Sequence, residues 1–192
     1  MTAVWKAFEP RFAVGRGQFG VVFLCQHEDG RKVVDKRVGL AGLGPKELQS
    51  TTKELDLLKQ LEHPYIVRYL DHFVRADPTH GDILHIIMEY CSAGSLKDQI
   101  EAQTELNRPF GVETVRRWLL QLMLALRFVH EQRVIHRDIK PANVFLLESP
   151  SNTPSNTPIA KLGDFGCSRP LSAHTDFAAT CIGTPFYLAP EL

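Results

Sequence analysis

The stretch "VIHRDIKPANVFL", residues 134–146, decides how this chain reads. It sets an acid (Asp138), a base (Lys140) and an amide (Asn143) on one tight turn between a long helical pattern and an apolar run. Further on, "LGDFGCS" (162–168) places Asp164 in a glycine-flanked turn directly after a short strand-like run. The side-chain oxygens of Asn143 and Asp164 suit hard Mg²⁺, which keeps several waters and bridges substrate phosphates. Asp138 can accept a hydroxyl proton and orient an attacking oxygen, and Lys140 can neutralise charge on a moving phosphoryl group.

Working outward towards the N-terminus, "GRGQFGVV" (15–22) matches G-x-G-x-x-G-x-V. Glycines there let backbone N–H groups approach phosphate oxygens with no Cβ in the way. A dinucleotide-binding domain uses the same glycine spacing with an acid about 20 residues on, and Asp35 occupies that place. The run after Gly20 separates the two. A dinucleotide fold needs a helix there, whereas "VVFLC" is a β-branched and aromatic run that prefers strand. The loop therefore reads as a hairpin lid over phosphates. In a strand, Val34, Lys36 and Val38 share one face, which can set an ammonium beneath the lid and Val34 against a nucleotide base. On the next predicted helix, Glu54 shares a face with Leu58 and Leu61. A carboxylate on a buried face needs a partner, and Lys36 is the candidate; the alternative is a Glu at the edge of a solvated face.

Composition narrows the classes. Lys plus Arg (22) balance Asp plus Glu (22), so no electrostatic footprint for nucleic acid or an anionic membrane is present. The four cysteines, Cys25, Cys91, Cys167 and Cys181, form no CxxC pair, which fits reduced thiols in an intracellular protein. No HExxH or Cys/His cluster suggests a structural metal. "MTAVWKAFEPRF" lacks the apolar core of a signal peptide, and "WLLQLMLALRFV" is too short to span a membrane and carries Gln121 and Arg127.

Along the chain, the first 38 residues read as β-rich, with "RFAV" and "GVVFLCQH" flanking the glycine loop and "RKVVDKRV" coming after the turn 28–30. A helix is predicted from Pro45 to about Leu61. "YIVRYLDHFV" and "ILHIIMEYC" are expected as strands joined by the polar turn "RADPTHGD". Ser95 with Asp98 forms a capping-box pattern. Val115, Leu119, Leu122, Leu126 and Val129 then recur at helical spacing and are read as core. "VFLL" (144–147) and "AKLG" (160–163) are short strands separated by "ESPSNTPSNTPI", whose tandem SNTP predicts a flexible, solvated hairpin tip. That insert reads as neutral in preference to a proline-directed phosphorylation site. The expected shape is a small sheet with one helix, a hinge near 89–95 and a helical second part, with a ligand cleft between the two lobes.

The glycine loop, strand lysine, helix glutamate, "HRDIKPAN", "DFG" and "APE" occur here in the order of the protein-kinase signature. On these motifs the chain resembles the eukaryotic protein kinase catalytic domain. Lys140 in "HRDIKPAN" and Thr184 in "GTPFYLAPE" look like serine/threonine kinases, and "EHPYIVRYLDHF", "IIMEYCSAGSL" and "HRDIKPANVFL" resemble the NIMA-related group. The resemblance implies an α+β, bilobal protein-kinase-like fold, with an N-lobe antiparallel β-sheet and one helix over 1–91 and an incomplete, mainly helical C-lobe over 92–192. It implies transfer of the γ-phosphoryl group of ATP, with Mg²⁺, to Ser/Thr hydroxyls of protein substrates, in the non-specific serine/threonine kinase class. Lys36 would hold the α/β-phosphates and be set by Glu54, with Asp138 the base and Lys140 a charge stabiliser. Asn143 and Asp164 would hold the metal. Gly15, Gly17 and Gly20 would cover the phosphates, and Val22, Val34 and Phe145 would contact the nucleotide. Met88 would be the gatekeeper, with Glu89 and Cys91 offering hinge backbone hydrogen bonds.

The same resemblance stacks Leu58, His136 and Phe165 as part of a regulatory spine. It makes Thr180 the activating phosphosite, with Arg137 its phosphate partner; an unmodified loop residue is the alternative, and Ser172 and Thr175 are weaker sites. Activation by an upstream kinase or autophosphorylation is implied, as is a cytoplasmic location, with centrosome, cilium or nucleus by family analogy. Two positions depart from the pattern. Val34 replaces the commoner alanine, and Asp35 stands where many kinases have an apolar residue; it is expected to be solvated, with Arg37 as a candidate partner. The family continues beyond A-P-E, where Glu191 would pair with an arginine. The sequence thus reads as a fragment, or as a truncated nucleotide-binding or scaffold form. Poor phosphotransfer, easy unfolding and partial exposure of the long helix's apolar stripe are expected of it.

Overall fold

The structure is a computed structural model that describes residues 8–17, 20–149, 156–165, 169–170 and 187. The chain divides into two compact units, one comprising Met1–Glu62 and Arg68–Tyr90, the other His63–Val67 and Cys91–Leu192. The five residues His63–Val67 lie within the span of the first unit in sequence but belong to the second, where Val67 N–H donates to the Leu162 carbonyl and Leu162 N–H to that of Tyr65.

The first unit is built on a five-stranded antiparallel sheet. Its strands are β1 (Phe8–Gly17), β2 (Gly20–His27), β3 (Lys32–Gly39), β4 (Tyr69–Asp77) and β5 (Gly81–Glu89), in the order β1-β2-β3-β5-β4. β1 and β2 close on Gly17 opposite Gly20, so the glycine motif is a hairpin tip and not a strand-to-helix turn, as the β-branched run after it requires. Gly20 has φ +147°, and a Cβ there would overlap the carbonyl oxygen of Arg37, so β2 begins pressed against β3 where only glycine fits. Between β3 and β4, helix α1 (Pro45–Gln60) starts with proline in its first turn, and the Glu47 carboxylate accepts from Gly44 N–H at 2.7 Å. Its buried residues, Leu55 and Leu58, continue into Leu61 just beyond the helix.

The turn between β4 and β5 is tighter than the sequence suggests. Arg75 to Asp77 extend the strand, and Gly81 and Asp82 begin the next. Asp77 Oδ1 accepts from Thr79 and His80 N–H, so one carboxylate closes the tip and the polar residues beside it remain in the ladder. At the other end, Tyr65–Arg68 stay out of β4 because that segment serves the second unit or, at Arg68, pairs with Glu89 at the end of β5.

Among its described residues the second unit has helices α2 (Leu96–Glu105) and α3 (Val112–Glu131) and four short strands. Those strands are β6 (Val134–Ile135), β7 (Val144–Leu147), β8 (Ile159–Leu162) and β9 (Arg169–Pro170), pairing β6 with β9 and β7 with β8. The capping box forms, with Asp98 N–H donating to Ser95 Oγ at 3.2 Å and Ser95 N–H to Asp98 Oδ2 at 2.8 Å. One expectation needs correction. The buried residues of α3 are Trp118, Gln121, Ala125 and Val129, while Val115 and Leu119 are exposed with Leu120 and Met123. The β7–β8 hairpin decides this: Trp118 Nε1 donates to the Pro158 carbonyl at 2.8 Å, and Gln121 Oε1 accepts from Ala160 N–H at 2.8 Å. A helix apolar around most of its girth cannot announce by periodicity which stripe a polar anchor will select. Most of the SNTP insert lies outside the described residues.

Candidate active site

In the first unit, strand alternation puts Val34, Lys36 and Val38 on one face of β3, and the register sets Val22 and Ile86 on either side of Lys36. The Lys36 ammonium lies 2.7 Å from Glu54 Oε1, and the two side chains are only 13% and 12% exposed. The sequence-predicted pair is therefore formed, and it ties α1 to the sheet. Val34 sits opposite Met88, both half-buried on the same face. Gly15 has open space where a Cβ would project. Glu89 is held at both ends, its N–H donating to the Arg68 carbonyl at 2.9 Å and its carboxylate accepting from Arg68 N–H at 2.6 Å. Cys91, the first residue of the second unit's longer segment, is buried.

Asp35 differs from expectation. It is 4% exposed, and its carboxylate accepts from Arg37 Nε at 2.7 Å and from His85 Nδ1 at 3.0 Å. The anticipated Arg37 pairing is present, but the solvated reading is overturned. His85, a histidine within the otherwise apolar run 83–88 of β5, supplies a buried donor that alternation alone did not reveal.

In the second unit, "HRDIKPAN" forms a compact polar cluster between β6 and β7. Asp138 is 9% exposed, and its Oδ2 lies 2.7 Å from Lys140 Nζ and 2.9 Å from Asn143 Nδ2. Asn143 Nδ2 also donates to the Asp138 carbonyl at 2.8 Å. Both amide hydrogens are thus engaged with Asp138, so the group Asn143 can present to a cation is its amide oxygen. Asn143's own carbonyl accepts from Gly163 N–H at 2.9 Å, which couples the loop to the residue before Asp164. Asp164 is exposed, and both it (φ 57°) and Arg137 (φ 66°) adopt left-handed backbone, a conformation that costs energy for non-glycine residues and gathers at functional sites. An amide oxygen and a carboxylate linked in this way are the hard oxygen donors that Mg²⁺ takes. Among the described residues no group of three or more His, Cys, Asp or Glu could hold a metal by itself.

His136 organises this cluster from beneath. It is 1% exposed, its Nδ1 accepts from Asp138 N–H at 3.3 Å, and its Nε2 therefore carries the proton and donates to the Gly163 carbonyl at 3.0 Å. Burial lowers its pKa below the usual 6.5, so the ring stays neutral at neutral pH. Its ring meets the buried Phe165 ring in an edge-type contact with centroids 4.7 Å apart, the spine contact the resemblance implied; Leu58 is buried in the first unit. Phe145 on β7 lies against Gly163, where a Cβ would come within 2.8 Å of its ring. Thr180 and Thr184, like the "APE" segment, fall outside the described residues.

The protein kinase domain model matches residues 8–192. The chain belongs to the protein kinase domain family. It is 37% identical over 180 residues to serine/threonine-protein kinase Nek1 of Mus musculus, covering 93% of this chain and 14% of that protein. It is 40% identical over 187 residues to the Nek1 kinase of Toxoplasma gondii, covering 93% of this chain and 12% of the relative. With serine/threonine-protein kinase Nek2 of Homo sapiens the identity is 38% over 193 residues, 96% of this chain and 40% of the relative. These Nek relatives agree with the NIMA-related resemblance, and this protein kinase domain chain spans well under half of each relative's length.

Proposed function

We propose that the protein is a serine/threonine protein kinase of the non-specific class, using ATP with Mg²⁺ to phosphorylate Ser/Thr hydroxyls of protein substrates. The observation that carries this reading is the Asp138–Lys140–Asn143 cluster. Two donors on Oδ2 fix the plane of the Asp138 carboxylate and orient its other oxygen, Oδ1, to take the proton of an acceptor alcohol as the hydroxyl oxygen attacks phosphorus. Lys140, already at 2.7 Å from Asp138, would neutralise charge on the moving phosphoryl group. Lys36, aligned by Glu54, holds the α- and β-phosphates as the γ-phosphoryl departs. Asn143 and Asp164 would hold the metal, which would supply positive charge to offset that of the phosphates. The protein's contribution is orientation and fixed charge, with no covalent intermediate on its own side chains.

The Nek relatives bear the name serine/threonine-protein kinase, which supports the choice of acceptor. Activation through Thr180, by an upstream kinase or by autophosphorylation, and a cytoplasmic location belong to the same proposal. Thermal shift with Mg-ATP, ATP alone and NAD, joined to γ-phosphate transfer onto a Ser/Thr-containing protein, tests it. Stabilisation by Mg-ATP but not NAD is expected, with transfer lost in Asp138→Asn. Stabilisation by NAD alone, or transfer undiminished in Asp138→Asn, would overturn it.

A further inference from the structure

We propose that Asp35 and His85 are positioning residues for Lys36, acting from the opposite face of the sheet. This rests on the nucleotide-holding role proposed for Lys36. Alternation along β3 turns Asp35 and Arg37 away from Lys36, so the lysine is flanked on both sides by residues anchored on the other face. There the Arg37 guanidinium lies 4.1 Å from the centre of the Phe23 ring of β2 and donates to Asp35 at 2.7 Å. Asp35 accepts from His85 of β5, and the His85 ring stacks on Phe73 of β4 at 4.6 Å and 13°. One chain of contacts, Phe23–Arg37–Asp35–His85–Phe73, thus crosses β2, β3, β5 and β4 at the level of Lys36.

The register makes the link diagonal. Asp35 pairs with Ile87 and Arg37 with His85, so the Asp35–His85 bond reaches two residues along β5 and resists sliding of β3 against it. This face lines a hollow of about 720 Å³ together with Phe8, Val74 and Arg75. Stability alone does not account for the arrangement. Cys25, Val33 and Ile87 already form an apolar cluster here, and a buried ionic network replaced whole by apolar side chains commonly loses no stability, although removing one member strands the others. What the carboxylate adds is direction: it fixes the backbone on both sides of Lys36, and with it where the ammonium meets Glu54.

The test uses Asp35→Val, Asp35→Asn and His85→Phe in the chain labelled with ¹³Cε-lysine, the Lys36 signal being assigned by Lys36→Arg. Each variant is assayed by thermal unfolding, by the Lys36 signal without nucleotide, and by KM for Mg-ATP against kcat. For Asp35→Val we expect a lowered melting temperature, since Arg37 and His85 lose their shared acceptor, and in the chain that remains folded a shifted or broadened Lys36 signal, with KM for Mg-ATP raised roughly tenfold and a smaller change in kcat. Asp35→Asn should restore most of the signal, since its amide oxygen can still accept from His85. An unmoved Lys36 signal in folded Asp35→Val and His85→Phe would overturn the proposal. Because that signal is read without nucleotide, a kinase reading that failed would show separately, as wild-type chain indifferent to Mg-ATP.

Discussion

Removing one member of the Lys36–Glu54 pair should cost far more than removing both. At 2.7 Å the gross attraction is about 6 kcal/mol if the effective dielectric constant is near 20. Most of that is returned as desolvation of two groups that are 13% and 12% exposed. The net contribution left to the pair should be about 1 kcal/mol or less, but the coupling in a double-mutant cycle should be about 5 kcal/mol, because each single change also strands its partner. Lys36→Met leaves the Glu54 carboxylate stranded and should destabilise by about 3 kcal/mol; Glu54→Leu strands the ammonium at similar cost. The double variant should lie within about 1 kcal/mol of the parent. In a chain of this size each kcal/mol is worth about 2–4 °C, so each single variant should melt about 6–12 °C lower. Urea unfolding of the four proteins, monitored by circular dichroism, closes the double-mutant cycle. A coupling below about 0.5 kcal/mol, the level of an exposed pair, would refute the argument that burial makes Glu54 the group that fixes Lys36.

Three further outcomes are expected at single sites. Gly20→Ala should lower the melting temperature sharply, because the new Cβ overlaps the Arg37 carbonyl at φ +147°, whereas Gly15→Ala should leave it nearly unchanged; equal effects would contradict the packing described. The neutral, buried His136 makes stability depend on pH. Its folded pKa lies below the unfolded value of 6.5, so its contribution is whole above that value and is lost as acidification carries the unfolded state through it first. Melting temperature should therefore fall from pH 7 towards pH 5.5, and less steeply in His136→Phe, with His63, also lowered by burial, accounting for part of the remaining slope. Burial raises the Cys25 thiol to about 11, with the Asp35 charge adding to it. Its alkylation at pH 8 should track global unfolding, and rapid labelling of folded chain by mass spectrometry would show the thiol to be more open than its 4% exposure implies.

The sequence by itself determined the local chemistry. Proline at the first turn of α1, the Ser95–Asp98 box, the β-branched run after Gly20 and the acid-base-amide spacing of "HRDIKPAN" each act within a few residues, and each forms as its pattern requires. Lys36–Glu54 was also legible, because strand and helix periodicities set both charges on faces that had to be buried. Only the tertiary structure decided three other features. Asp35 is buried because a histidine 50 residues away meets it across a strand pair, and no local pattern encodes that partner. The buried stripe of α3 was chosen by Pro158 and Ala160 of a distant hairpin, whose backbone groups needed Trp118 and Gln121. His63–Val67 pair with β8 although the chain on both sides of them folds into the sheet unit, because backbone groups go where a ladder can satisfy them, and that ladder is assembled far along the chain.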